Sequence, residues 1–209
     1  MTDRLGADVP DWLCVSRETR EALDSFVAMV RKWTPTINLV SKPSLPDLWQ
    51  RHVLDSAQLF SLAAGRGGHW ADLGSGGGFP GVVIAILAKE RVPAFRVTLV
   101  ESDQRKATFL SQVVRVLGLP ALVRAERSEA IEPLQADIVS ARALAGLDVL
   151  CGHADRHLRR DGLALFPKGA QAEQEIAAAR KHWQFEVTRH PSHTDPDATL
   201  LAIKDISHV

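Results

Sequence analysis

Residues 71–81 read Ala71-Asp72-Leu73-Gly74-Ser75-Gly76-Gly77-Gly78-Phe79-Pro80-Gly81, with five glycines between Gly74 and Gly81. Trp70 to Leu73 forms a short apolar run before them. Pro80 to Lys89 after them reads as a buried helix with proline at an early helical position. Strand, glycine loop and helix in that order mark the place where open α/β sheets bind ligands. Glycine lets the chain turn tightly and lets a ligand reach the backbone without meeting a Cβ.

Outward from the loop, strand and helix patterns alternate. Arg96 to Val100 reads as a strand, Asp103 to Leu117 as a helix stopped by Gly118, and Ala121 to Arg124 as a strand. Strands at Asp137–Ser140 and Leu163–Phe166 flank a helix at Leu147–Leu158. A helix at Ala170–Lys181 precedes two last strands, Phe185–Arg189 and Thr199–Ile203. Alternation of this kind predicts a mostly parallel sheet covered on both faces. Only a turn-rich link, Pro191-Ser192-His193-Thr194-Asp195-Pro196, joins the last two strands. A parallel crossover needs a dozen or more residues, so the final strand is expected to run antiparallel. That ending favours the seven-stranded sheet of methyltransferases over a plain dinucleotide fold.

Upstream, Ser16 to Trp33 reads as a helix capped by Ser16, with Ala22, Phe26, Met29, Val30 and Trp33 on one face and Pro35 as its end. Ser44-Leu45-Pro46-Asp47 has capping-box spacing and predicts a second helix reaching Ala64, before the break at Gly65–Gly68. Residues 1–65 are therefore expected to form a helical extension on a catalytic domain at residues 66–209.

The loop fits two templates. Gly76-x-Gly78-x-x-Gly81 matches the dinucleotide fingerprint, and Asp72-x-Gly74-x-Gly76-x-Gly78 matches the D-x-G-x-G-x-G loop of methyltransferases. A pyrophosphate at a helix N-terminus does not want a carboxylate beside it, whereas a cofactor bearing an ammonium and a sulfonium tolerates one. Asp72 also has a purely structural reading, as an acceptor for loop N–H groups. Glu101 ends the next strand, where a carboxylate can accept both hydroxyls of an adenosine ribose. It serves either cofactor.

Composition excludes some classes. The 209 residues are 45% hydrophobic and 24% charged, as expected of a folded enzyme rather than a disordered chain. Net charge is zero, so nucleic-acid binding would require local clustering of cations. Cys14 and Cys151 form no CxxC, which suits a reducing compartment. No apolar run is long enough for a membrane, and Met1 to Asp8 lack a signal-peptide core, so a cytoplasmic protein is expected. His153 and His157 share a helix face, but Ala154 stands where a zinc protease motif needs Glu; exposed helix histidines and no metal are expected. Trp33, Trp49, Trp70 and Trp183 are expected in the core.

Several stretches together carry a resemblance. They are Ile37-Asn38-Leu39-Val40-Ser41, Arg51-His52-Val53-Leu54-Asp55-Ser56, the glycine loop, Leu99-Val100-Glu101 with Arg105-Lys106, Ser140-Ala141-Arg142-Ala143, and Phe166-Pro167-Lys168-Gly169. In that order, from about Trp33 to Gly169, the chain resembles the ribosomal RNA small-subunit methyltransferase G family. It departs at Thr34-Pro35, where family members often carry Asn after Trp, and at Pro167, where Leu is usual. The resemblance implies a Rossmann-like class I methyltransferase that uses S-adenosylmethionine on guanine N7 of 16S rRNA. By position, Gly74, Gly76 and Phe79 with Asp72 would meet the cofactor. Glu101, Ser102 and Asp103 would meet its ribose, and Ser128 and Glu129 its adenine. Arg142 belongs to the implied site, and Asn38, Arg51, His52 and Asp55 to its wall.

Guanine N7 has a lone pair and no proton to lose, so methylation there needs alignment rather than a general base. Asp55 is the candidate reader of the guanine N–H edge, and Arg142 the candidate contact to O6, phosphate or cofactor carboxylate. The alternative for Arg142 is an ion pair with Glu101 or Asp137. His52 is expected as a wall residue. Arg31, Lys32, Lys42, Arg51, Arg105, Lys106, Arg127 and Lys168 are expected to form a basic rim for the small ribosomal subunit or its 16S rRNA. A monomer is expected. A nicotinamide oxidoreductase and a non-catalytic ribosome-assembly factor remain the competing readings; the first lacks a recognisable Tyr-Lys or His-Asp pair.

Overall fold

The computed structural model describes residue 10, residues 12–92 and residues 94–209. Met1 to Asp8, where the signal-peptide reading falls, lie outside the described residues. Helix α1 (Arg17–Ile37) starts where expected, because Ser16 Oγ accepts the Thr19 N–H at 3.1 Å. Leu23, Phe26, Val27 and Val30 lie on its buried face. The helix does not stop at Pro35. It runs on to Ile37 and ends at Asn38 in the left-handed conformation, φ 50°. A proline this close to a C-terminus disturbs only the last turn, and Thr34 Oγ1 bonds the Val30 carbonyl there.

The helix expected over Ser44–Ala64 starts later, at residue 48, and runs without a break to Leu62. A 3₁₀ turn covers Lys42–Ser44, a π-helical turn Trp49–Leu54, and α2 spans Asp55–Leu62. Pro43 and Pro46 lack the N–H groups a continuous helix requires. Ser44 donates to the Ser41 carbonyl rather than capping a helix. The π turn carries Arg51 and His52 and delivers Asp55 as the first residue of α2. Single π turns inside helices recur at functional sites.

The strands are β1 (His69–Leu73), β2 (Arg96–Val100), β3 (Ala121–Arg124), β4 (Ala136–Ser140), β5 (Leu158–Lys168), β6 (Trp183–Pro191) and β7 (Thr199–His208). They form one sheet in the order β3-β2-β1-β4-β5-β7-β6. β1 through β5 pair in parallel, and β7 is antiparallel to both its neighbours, as its short link requires. The expected lengths of β5, β6 and β7 were too short, because their polar outer ends hide the strand pattern. Helices α3 (Gly81–Arg91), α4 (Gln104–Leu117), α5 (Leu147–His157) and α6 (Ala172–Ala179) complete the fold. α4 is bounded as its sequence predicts, by Asp103 accepting from the Arg105 and Lys106 N–H groups and by left-handed Gly118.

Residue alternation on β1 divides the interior in two. Trp70 faces the core formed with α1 to α4, among Phe26, Ile84 and Phe109. Ala71 and Leu73 face the core under α5 and α6, among Val139, Leu150 and Phe166. Trp49 is also buried, while Trp33 and Trp183 are partly so. α1 packs on α3 and α4, which brings its C-terminal residues to the carboxyl edge of the sheet. The chain order reverses at β1, whose neighbours are β2 and β4, so the switch-point crevice opens over the glycine loop. Among the described residues no helix is long and apolar enough to cross a membrane.

Candidate functional site

Asp72 is the innermost acidic group of the crevice, with no exposed surface. One oxygen accepts the Gly81 N–H at 3.1 Å and the other the Ser140 hydroxyl at 2.7 Å. Burial pushes its carboxyl up to about 6, against the pull of these donors. Asp72 therefore ties β1, β4 and the start of α3 together beneath the loop. Of the two readings open to it, the structure places the Asp72 carboxylate in the structural one, facing protein. Gly81 is glycine for the same reason, since a Cβ there would run into Leu99 and Asp72.

The loop surface is built by Gly74 and Gly76, both at positive φ, 67° and 55°. Glu101 lies beside them at the end of β2, with Oε2 accepting the Gly76 N–H and Oε1 the Asp103 N–H, each at 2.8 Å. An ionised carboxylate offers about four acceptor sites, so roughly two remain. That matches the two hydroxyls of a ribose. Ser102 beside it is exposed, whereas the Asp103 carboxylate is committed to capping α4. Phe79 is 4% exposed, its ring packed between Phe26 and His52 at centroid distances of 5.0 and 4.9 Å. The Phe79 side chain belongs to the core floor, which leaves its backbone in the loop as the part that can meet a cofactor.

Ser128 and Glu129 follow β3 on the far side of Glu101. Two buried imidazoles hold this turn: His157 Nε2 donates to the Ser128 carbonyl at 2.9 Å, and His153 Nδ1 lies 3.3 Å from the Ser128 hydroxyl. The expectation of exposed helix histidines fails, because α5 turns this face towards the β3 edge; His153 is 8% exposed and His157 not at all. The Glu129 side chain stands out in solvent.

A cleft of about 870 Å³ lies over the carboxyl ends of β4 and β5. Arg51, His52, Asp55, Arg142, Leu144 and Thr194 are among its lining residues. Arg142 is clamped from three sides. Nη1 donates to Asp55 Oδ2 at 3.2 Å and to the Arg51 carbonyl at 3.3 Å, and Nη2 donates to His52 Nδ1 at 2.7 Å. Its guanidinium carbon sits 5.4 Å from the centre of the Phe79 ring. Neither Glu101 nor Asp137 takes the ion pair considered for it; Asp137 pairs with Arg159 at 2.5 Å. Because Arg142 donates to Nδ1, His52 carries its proton on Nε2, a buried atom with no protein partner. Burial first, then the charges of Arg142 and Arg51, hold its pKa down to about 4. His52 is thus neutral at ordinary pH.

Leu144 rides over the loop, so close that a Cβ on Gly74 would come within 2.7 Å of it. The glycine loop and the cleft therefore adjoin across Leu144. A family profile described as rRNA small subunit methyltransferase G matches residues 19–199. The chain belongs to that family. Named family members include the ribosomal RNA small subunit methyltransferase G of Cereibacter sphaeroides (strain ATCC 17023), 53% identical over 94% of this chain and 96% of its own. The Ruegeria pomeroyi protein of the same name is 52% identical over 96% of this chain and 99% of its own. A solved TehB-like SAM-dependent methyltransferase from Corynebacterium glutamicum shares the fold at a TM-score of 0.54 and 17% identity, over 72% of this chain and 87% of that one.

Seen within that family, the remaining site expectations divide. Asn38 does not line the cleft; it terminates α1, and Leu39 after it abuts the glycine loop. Lys168 lines the cleft, but its amine is held by Glu175 at 2.7 Å and the Ala145 carbonyl at 2.9 Å, with the side chain 8% exposed. Lys168 is corrected from a rim cation to an internal ion pair. Arg31, Lys32, Lys42, Arg51, Arg105 and Arg127 are exposed and Lys106 half-buried. Of these only Arg51 reaches the cleft. Sequence reading missed Leu144, Thr194 and Gln58. The one local signal was at Leu144, a large apolar residue two positions after Arg142 in a stretch of small ones; the other two carried none.

Proposed function

We propose that this chain methylates N7 of a guanosine in 16S ribosomal RNA, acting as a cytoplasmic monomer. Membership of the rRNA small subunit methyltransferase G family supports the reaction class and the RNA. The carrying observation in the molecule is that the glycine loop, with Glu101 bonded to it, adjoins through Leu144 a cleft whose arginine and aspartate are already paired. The residues present fit S-adenosylmethionine: left-handed glycines leave the approach to the loop free of Cβ atoms on the loop itself, and Glu101 keeps acceptor sites for a ribose. When bound, S-adenosylmethionine supplies an electrophilic methyl on a sulfonium.

The chain's own residues need only hold and shield. N7 carries a lone pair and gives up no proton, so the site requires no base. His52 is suited to that, being neutral with its free N–H as a donor rather than an acceptor. Asp55 was expected to read both guanine N–H donors. Three of its roughly four acceptor sites are taken by Gln58, Thr194 and Arg142, so it has room for one further donor. In this reading Asp55 chiefly orients Arg142, and Arg142 faces the electron-rich O6 edge or a neighbouring phosphate. Leu144 covers the methyl-transfer line against water.

The test is direct. Purified protein, tritiated S-adenosylmethionine and 16S rRNA or small subunits lacking the modification should yield labelled N7-methylguanine at one position. Label on another atom or another RNA, or none from folded protein, overturns the reading.

A further inference from the structure

The link between β6 and β7 reads in sequence as a mere turn, yet Thr194, Asp195, Pro196 and Ala198 all line the cleft. It is fastened there by an internal polar network. Thr194 Oγ1 donates to Asp55 Oδ1 at 3.0 Å, the same oxygen that accepts from Gln58 Nε2 at 3.0 Å. Gln58 is 2% exposed, and it also bonds Ser192 Oγ at 3.1 Å and accepts the His193 N–H at 2.9 Å. The Ser192 hydroxyl in turn accepts the Thr194 and Asp195 N–H groups at 3.2 and 3.3 Å. On the outside, Trp12 stacks on the His193 ring at 5.3 Å.

We propose that Thr194 is a positioning residue for the transfer reaction, fixing the Asp55 carboxylate so that its other oxygen holds Arg142. The inference rests on the methyl-transfer reading of the cleft. The physical argument concerns one torsion. A carboxylate rotates over a broad, roughly two-fold well about its terminal bond. Arg142 grips only Oδ2, which by itself leaves the plane free to tilt. Two donors on Oδ1, approaching from α2 and from the β6–β7 loop, pin that plane. Hydrogen bonds to an ionised acceptor are the strong ones, so each restricts the tilt appreciably. The guanidinium then sits between Asp55, His52 and the Phe79 face in one orientation. A site that works by alignment alone is sensitive to errors of this size.

Thr194→Val keeps the shape and deletes the donor; Thr194→Ser keeps the donor and deletes the methyl; Thr194→Ala deletes both. For each, kcat and KM for small-subunit RNA, the Kd for S-adenosylmethionine by calorimetry, and the melting temperature would be measured. Thr194→Val and Thr194→Ala should both lower kcat by about tenfold, the scale of one charge-assisted hydrogen bond. Their KM, cofactor Kd and melting temperature should stay near wild type, and Thr194→Ser should recover most of the rate. Wild-type kcat in Thr194→Val, or a Thr194→Ser as slow as Thr194→Val, overturns the proposal. So does a loss of cofactor affinity or melting temperature that accounts for the whole effect. Wild-type protein that makes no N7-methylguanine would instead overturn the functional reading itself, which separates the two failures.

Discussion

Glu101 shows how much one side chain does here. Its carboxylate fixes the glycine loop at Gly76 and the start of α4 at Asp103, and under the proposed function its remaining acceptor sites hold a ribose. Replacement by alanine removes the ribose acceptor and frees the loop together. Glu101→Ala should weaken S-adenosylmethionine by about 1–3 kcal/mol in a calorimetric titration, the range for hydrogen bonds to charged groups. An unchanged Kd would rule out the ribose assignment. His52 makes a different prediction at this scale. Its lowered pKa of about 4 keeps Nδ1 free to accept from Arg142 across the working range. The rate of methyl transfer should therefore be flat from about pH 7 to pH 8.5, fall first near pH 6, where the Asp72 carboxyl beneath the loop takes up a proton, and fall again near pH 4, as protonation of His52 removes that acceptor and sets two cations together. A bell-shaped profile centred in that range would reveal a base the cleft does not provide.

Between residues and molecule stand the elements, and at their junction is Asp72, which joins β1 to β4 through Ser140 and to α3 through Gly81. Asp72→Ala strands a buried N–H and a buried hydroxyl. At about 1–3 kcal/mol for each of these two unsatisfied groups, unfolding in urea should show a loss of about 2–6 kcal/mol. A loss below 1 kcal/mol would mean the loop is held by its glycines alone. Elements of this kind were largely legible in the sequence. Asp103 and Gly118 bracket α4 by local chemistry, and the shortness of the 191–196 link forced the antiparallel β7. Within residues 44–64 the helix was legible but its late start and π turn were not, because apolar spacing survives inside a π turn and Pro46 delays the start. The site was legible only where sequence neighbours make it. The glycine loop and Glu101 announce themselves; Thr194 meets Asp55 across 139 residues, and no periodicity records a contact of that range.

The whole molecule must hold a polyanion with no net charge of its own. It does so only if its cations are sorted by place. Lys168 is withdrawn into an ion pair with Glu175, and Arg142 is committed to Asp55, so neither is available as a loose counterion. Arg51 differs: it is exposed and lines the cleft mouth. Arg105 and Arg127 stand exposed beyond the ends of β2 and β3, and Arg31 and Lys32 on the last turns of α1. Each cation that neutralises a phosphate releases condensed counterions, which adds about 0.7–0.9 to the slope of log affinity against log salt. Arg51→Ala should thus lower that slope by about one for 16S rRNA, measured by filter binding between 50 and 200 mM salt. Lys168→Ala should leave the slope unchanged. The contrast matters more than either value, since both residues line the same cleft and differ in pairing and exposure. A slope that drops with Lys168→Ala and not with Arg51→Ala would mean that the Glu175 pair opens for RNA, and that the phosphate-binding face lies on the β5 side of the cleft.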